Sequence, residues 1–414
     1  ISNFKGGGDV RKLTMLFFAV AIIFAFGGCV YEFVPDPGEL EMEDMKVVVI
    51  EGDIVAGGIT YVRVGYSLPL QSGLWGSGLD AGTESFYDPS TGSYNSWKAS
   101  VWVESADGEI WGGETYELGE YTIDTRDLDI DGMYRLCVSI PSRGEYVSEF
   151  KKVLVAPQIE KLSYSVPQDS SCVHIEVSAK GKGGETGYYR WEYEEAWDAS
   201  PEITPQIGFD PNIRLMVYLS DTQKEKLSSC FSVERTSDIL VASTEKLRDN
   251  VITDNRISTI SATDRKIAKD YCITVYQTCL DEEGYAYWES MKKNTSGTGG
   301  LFAPQPSEVR GNMTSLLNPD ENVIGYVNVV TKTSKRLFIP EMELGIYDRM
   351  SCINEMTYFN SISWPNAYSK YGMRPVSYLK NEAGGDIMDQ AHWAPKACVE
   401  ALNCTAKPDY WPEK

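Results

Sequence analysis

The sequence predicts a mainly β protein: an N-terminal immunoglobulin-like β-sandwich, then a larger β-rich sandwich or barrel-like domain with a few short helices. Three observations lead there. Short β-branched or aromatic runs, such as Lys46 to Val55, Ile59 to Ser67, Ala99 to Glu104 and Met133 to Ile140, are separated by clusters of Gly, Pro, Asp and Ser. Several runs alternate with period two: Tyr134, Leu136, Val138 and Ile140; then Val173, Ile175 and Val177; then Tyr189, Trp191 and Tyr193 against Arg190, Glu192 and Glu194. A strand with one buried face requires that alternation. The exception is Glu282 to Lys293, where Tyr285, Trp288 and Met291 recur at i, i+3, i+6 and predict a short helix packed on the sheet.

The chain opens differently. Arg11 and Lys12 precede an uncharged apolar run, Leu13 to Phe26, that ends in Gly27, Gly28 and Cys29. Positive charge, an apolar segment, small residues and then cysteine form the layout of a lipoprotein export signal, in which the cysteine thiol receives the lipid. The run is shorter than the roughly 20 residues a transmembrane helix needs. Residues 1–28 therefore read as a signal peptide and Cys29 as the lipidation site; the expected localisation is the outer membrane of a diderm bacterium, lipid-anchored and exposed on the cell surface. Residues 29–45 read as a tether, because Tyr31 to Asp44 holds Pro35, Pro37 and six acidic residues with no apolar period.

Residues 46–156 are assigned to the first sandwich, since Glu145 to Val155 reads as a strand and Pro157 as a boundary, and residues 157–414 to the second domain. Ile213 to Leu219, Ile239 to Ser243 and Tyr271 to Cys279 are further strands of that second domain. An insertion in the first sandwich, Gln71 to Trp97, is rich in Gly and Ser yet carries Trp75, Phe86, Tyr87 and Tyr94. Loops of this length are usually functional or unstructured, and aromatics are enriched at interfaces. These four residues are the candidate contacts for a partner or ligand.

The formal charge of −22 argues against nucleic acid and anionic lipid as partners, because both repel such a surface. With Cys29 spent on lipid, eight cysteines remain. An even count permits disulfides in an oxidising compartment without revealing their connectivity. The first candidate pair is Cys398 with Cys404, which would close a short loop near the C-terminus. A zinc site lacks a paired CxxC, and His392 is the one imidazole near these cysteines.

Nucleophilic chemistry has little to draw on. There are two histidines: His174 falls on the outward face of its strand, and His392 sits beside Trp393 in a Pro-flanked turn. No GxSxG, HExxH, phosphate-binding loop or dinucleotide fingerprint occurs. Carboxylates are abundant, and Glu192, Glu194 and Glu195 form the densest acidic and aromatic cluster on a strand, for which a solvated sheet face is the simpler reading. Asp127, Asp129, Asp131 and Gly132 reproduce the opening of a calcium loop, which makes structural calcium a candidate cofactor. The twelfth position is Val138 rather than a bidentate Glu, so an acidic turn is the default.

Several segments carry a resemblance when taken in order. They are VVVIEG at Val47 to Gly52, YYRWEYEEAW at Tyr188 to Trp197, Cys230 with the following ILVAST, and YAYWESMKKN at Tyr285 to Asn294. FAPQPSEVRGN at Phe302 to Asn312, the IGYVNV and SKRLFI segments of Val323 to Ile339, and Cys398, Cys404 and KPDYW at the chain end complete the series. Together they resemble a family of Bacteroidota outer-membrane lipoproteins catalogued as domain of unknown function 4249. The C-terminal cysteines are more widely spaced than the family's close pair, and the Gln71 to Trp97 insertion departs from its pattern. The resemblance implies lipoproteins whose genes tend to lie beside TonB-dependent transporters, and it implies no catalytic residues. The expectation is a non-enzymatic accessory or lid-like component that works with a TonB-dependent outer-membrane barrel in nutrient uptake. The alternatives are an extracellular glycan or peptide hydrolase using paired carboxylates, and a surface adhesin or structural lipoprotein.

Overall fold

The structure, a computed structural model, describes residues 47–67, 85–88, 93–96, 99–117, 119–141, 143–181, 186–296, 310–344, 352, 354–400 and 404–412. Cys29, the signal segment, the tether and Trp75 lie outside them. The mainly β prediction holds. Val47 to Lys414 form one compact unit in which three β bodies can be distinguished.

The first body grows from alternating strands. Val48 and Ile50, Val101 and Val103, and Leu136, Val138 and Ile140 are buried, and most of their neighbours are more exposed, Cys137 being the buried exception. Each fully buried aliphatic side chain is worth about 1.5–3 kcal/mol, enough to fix which face of each strand turns in. The strands form a ten-stranded sheet whose path runs Met313–Ser315, Gly144–Ser148, Met133–Ile140, Ser100–Ser105, Ile110–Glu117, Glu120–Thr125, Gly58–Ser67, Val47–Glu51, Val323–Ile324, with Lys151–Lys152 pairing beside it. The two ends of the path are joined by Asn312. Its backbone N–H donates to the Gly325 carbonyl (3.2 Å), its Nδ2 donates to the Val327 carbonyl (2.8 Å), and its Oδ1 accepts from the Val327 N–H (2.7 Å). Gly311 and Gly325 allow this approach: a Cβ on Gly311 would run into the Gly325 carbonyl, and Gly325 has φ 143°. The sheet is thereby nearly closed on itself.

In the second body, the sheet of Lys161–Ser165, Cys172–Lys180 and Val251–Ser261 shares a core with the sheet of Phe231–Arg235, Tyr188–Asp198, Tyr271–Leu280 and Thr333–Ile339. Val173, Ile175 and Val177 from the first meet Tyr189, Trp191, Ile273 and Val275 from the second. The buried Trp191 indole donates to Gln277 Oε1 at 2.9 Å, so its one polar atom is satisfied. The third body is small: the hairpin Ile207–Asp210 with Leu215–Tyr218 and the sheet of Thr357–Asn360, Asp386–Pro395 and Met373–Lys380 close over Phe209, Trp364, Tyr378 and Trp393.

Four expectations change. The boundary at Pro157 is crossed, because Met313–Ser315, Val323–Ile324 and Val329–Val330 return to pair with strands of residues 47–148. Part of the insertion is regular: Ser85–Asp88 pairs with Ser93–Ser96, with Phe86 opposite Asn95 and Tyr87 opposite Tyr94. His392 lies on the strand Asp386–Pro395 rather than in a turn. The pairing of Cys398 with Cys404 is wrong. Cys404 bonds Cys230 and Cys398 bonds Cys352, with Cα separations of 5.1 and 5.7 Å. The short helix Lys396–Val399 buries Cys398 against Cys352, whereas Thr405 bridges to Phe231 and carries Cys404 to the edge of another sheet.

Candidate functional site

The strand Tyr188–Asp198 buries Tyr189 and Trp191, and its other face turns Arg190 and Glu192 toward the helix Glu282–Ser296. Asp281 caps that helix by accepting from the Gly284 N–H at 2.7 Å, and Lys151 Nζ reaches the same carboxylate at 2.5 Å. The predicted stripe is present in altered form. Tyr285 packs on Tyr188 at 5.1 Å and Trp288 lies over the Arg190 guanidinium at 4.3 Å, but both are half-buried. The residue driven fully inward is Tyr287, against Tyr326.

Trp288 and Met291 instead wall a cleft of about 510 Å³ between the first and second bodies, completed by Tyr61, Arg63, Glu120 and Arg235. Its three arginines are already paired. Arg63 meets Glu120 at 2.7 Å, Arg235 meets Glu194 at 3.1 Å, and Arg190 sits between Asp53 at 3.1 Å and Glu192. Burial pulls the Arg190 pKa down, but the Asp53 and Glu192 carboxylates overrule it and hold the guanidinium firmly charged. Burial likewise pushes Glu192 up, yet Arg190 and Lys332 bring it from 4.5 to about 2. A carboxyl held ionised in this way anchors neighbours and serves poorly as a proton donor.

This makes a pH prediction. The depressed Glu192 value adds stability that is complete above pH 4.5 and lost as pH falls through about 2. Urea midpoints measured from pH 5 to pH 2 should fall less steeply for Glu192→Gln than for the native chain. Parallel slopes would show that Glu192 is not coupled to folding.

The acidic cluster is not a solvated face. Glu195 is 3% exposed and accepts from the Tyr271 hydroxyl at 2.6 Å and from Lys266 Nζ at 2.7 Å, while Glu192 and Glu194 are spent on the cations named above. His174 is half-buried, beside Thr259 Oγ1 at 3.2 Å. Asp127 accepts from the Trp111 indole at 3.0 Å, and Asp129 Oδ1 accepts from the Asp131 N–H at 3.0 Å, as in an acidic turn. Among the described residues no group of three His, Cys, Asp or Glu side chains is arranged to hold a metal. Phe86, Tyr87 and Tyr94 are placed by strand register alone, on the hairpin of the insertion.

The structure adds a surface that periodicity missed. On the third body, Leu215, Val217 and Tyr218 are 57%, 42% and 59% exposed, and Tyr218 touches Met388, itself 58% exposed, at 3.9 Å. Met216 between them packs inward against the small core. The signal was in plain view: Leu215 to Leu219 is apolar at every position, so the hairpin has a second apolar side after the first is buried.

The model of a family described as a domain of unknown function, DUF4249, matches residues 31–336, well over half the chain. The chain belongs to the DUF4249 family. No curated protein matches it. Among solved structures, this DUF4249 chain is similar to a two-domain fibronectin type-III segment of chicken tenascin, at 9% identity and a TM-score of 0.16, over 56% of this chain and 90% of that one. Two of the sequence segments quoted for DUF4249 now have a physical role: Gly311–Asn312 and Gly325–Val327 meet to close the first sheet.

Proposed function

We propose that this DUF4249 protein is a lipid-anchored outer-membrane component that acts without catalysis, docking on a TonB-dependent transporter barrel as an accessory or lid in nutrient uptake. The observation that supports this reading is the apolar face of the third body. Exposed apolar side chains on a folded surface are characteristic of protein–protein contact, and Leu215 and Val217, on the side of the hairpin away from the small core, supply them, with Tyr218 and Met388 exposed at its edge. The layout of residues 11–29 supports the anchor, which would keep the body at high effective concentration near a barrel.

Mild detergent extraction followed by affinity purification tests the reading. The native chain should co-elute with a barrel, and Leu215→Asp with Val217→Asp should lower barrel recovery at least ten-fold without moving the thermal midpoint, because neither side chain is in the core. Elution of the native chain alone, under conditions that hold other transporter complexes together, would sink it.

A further inference from the structure

Strand direction gives the first body two unlike ends. Gly58–Ser67 finishes at Ser67 opposite Val47. Antiparallel pairing then alternates through Glu120–Thr125, Ile110–Glu117, Ser100–Ser105, Met133–Ile140, Gly144–Ser148 and Met313–Ser315, and Val323–Ile324 runs parallel to Val47–Glu51. It follows that Val47, Ser67, the turn at 141–143 and the connection 316–322 share one end. The loops 106–109 and 126–132, and the exits toward the second body after Lys152 and Ile324, share the other.

The ends also differ in chemistry. Around the far loops stand Asp107, Glu109, Asp124, Asp127, Asp129 and Asp131, with Arg126 among them. At the near end Leu316 and Leu317 are 56% and 75% exposed on a connection that is held in place. The Leu316 N–H donates to the Glu145 carbonyl at 2.8 Å, and Leu317 lies over Gly144. Glu321, in the same connection, accepts from the Tyr146 hydroxyl at 3.0 Å and is paired with Arg143 at 3.5 Å.

We propose that the Leu316–Leu317 tip is a second membrane contact, seated in the lipid leaflet that holds the Cys29 acyl chains; this rests on the anchor reading above. The segment that precedes the described body joins it at Val47, and the 68–98 insertion leaves and re-enters at the same end, so a tether to Cys29 is attached at the end that carries the leucines. At full extension the link from Cys29 to Val47 reaches about 60 Å, which keeps that end within reach of the leaflet. Two leucines leave water on entering the acyl region, Glu321 beside them is paired with Arg143, and the exposed Glu145 stays in the headgroup layer. Asp320 remains in the headgroup layer, and the carboxylate-rich end, which an anionic surface would repel, points away with the second body.

The test uses the full-length acylated protein on phosphatidylcholine vesicles whose acyl chains carry nitroxide quenchers, with a fluorescent amino acid at position 317 or at position 110. Ile110 is 65% exposed and belongs to the far end, which makes it the control. Flotation of the vesicles is read in parallel. The expected result is flotation, at least two-fold quenching at 317, none at 110, and loss of the 317 quenching in Leu316→Asp while the protein still floats. Flotation with no quenching at 317, or equal quenching at both positions, overturns the contact and leaves the anchor standing. Failure to float removes the anchor and the contact together.

Discussion

Asp53→Ala is expected to lower stability by about 3 kcal/mol, at the lower end of the range for breaking a buried ion pair, because Glu192 remains beside the orphaned guanidinium. The Asp53 side chain is 7% exposed and that of Arg190 17%, with 3.1 Å between them. Asp53 Oδ1 also accepts from the Asn328 backbone N–H at 3.0 Å and from its Nδ2 at 3.4 Å, so one carboxylate ties three chain segments together across two bodies. Urea unfolding measures the loss. The double variant Asp53→Ala with Arg190→Met should recover much of it, since an apolar pair replaces a stranded charge. A single-variant loss below about 1 kcal/mol, the size of a surface pair, would show that the junction is not held by this contact.

Removing the Cys230–Cys404 bond by paired Ser substitution should cost on the order of 2–5 kcal/mol. The bond closes a separation of 174 residues, against 46 for Cys352–Cys398, and the logarithmic dependence of loop closure makes the second removal milder by about 1 kcal/mol. Packing adds to the difference. Beyond Cys404, the Thr405 N–H donates to the Phe231 carbonyl at 2.7 Å, and Trp411 sits against Phe231 and Phe338 with ring centroids 4.9 and 5.3 Å away. Loss of the bond should therefore also change the near-ultraviolet dichroism that Trp411 contributes, read beside the thermal midpoint. Equal destabilisation by the two Ser pairs, with an unchanged aromatic spectrum, would mean that the tail docks without its staple.

Much of the architecture could be read along the chain. Met133 to Ile140 is a strand over the span that alternation predicted, and Glu282 to Lys293 lies within the observed helix Glu282–Ser296. Each depends on side-chain periods within a few residues, which sequence displays directly. Burial within a cluster is harder to read. Alternation from Tyr189, Trp191 and Tyr193 puts Glu195 on the inner face and Glu192 and Glu194 on the other, but the Tyr271 hydroxyl that satisfies its carboxylate comes from another strand and is invisible locally. The run Leu215 to Leu219 is visibly apolar, but a run apolar on both sides does not say which side is covered.

Taken by itself, the sequence determined the β class, several of the longer strands, the one prominent helix and the pattern of residues 11–29, because these follow from local spacing and composition. Only the tertiary structure decided that Cys404 bonds Cys230, that residues 313–330 return to complete the first body, and that Gly311–Asn312 meets Gly325–Val327. Such pairings join segments from 13 to 275 residues apart. Their partners are selected by which faces and edges remain unsatisfied after every strand has packed, a condition that no single stretch of the chain records.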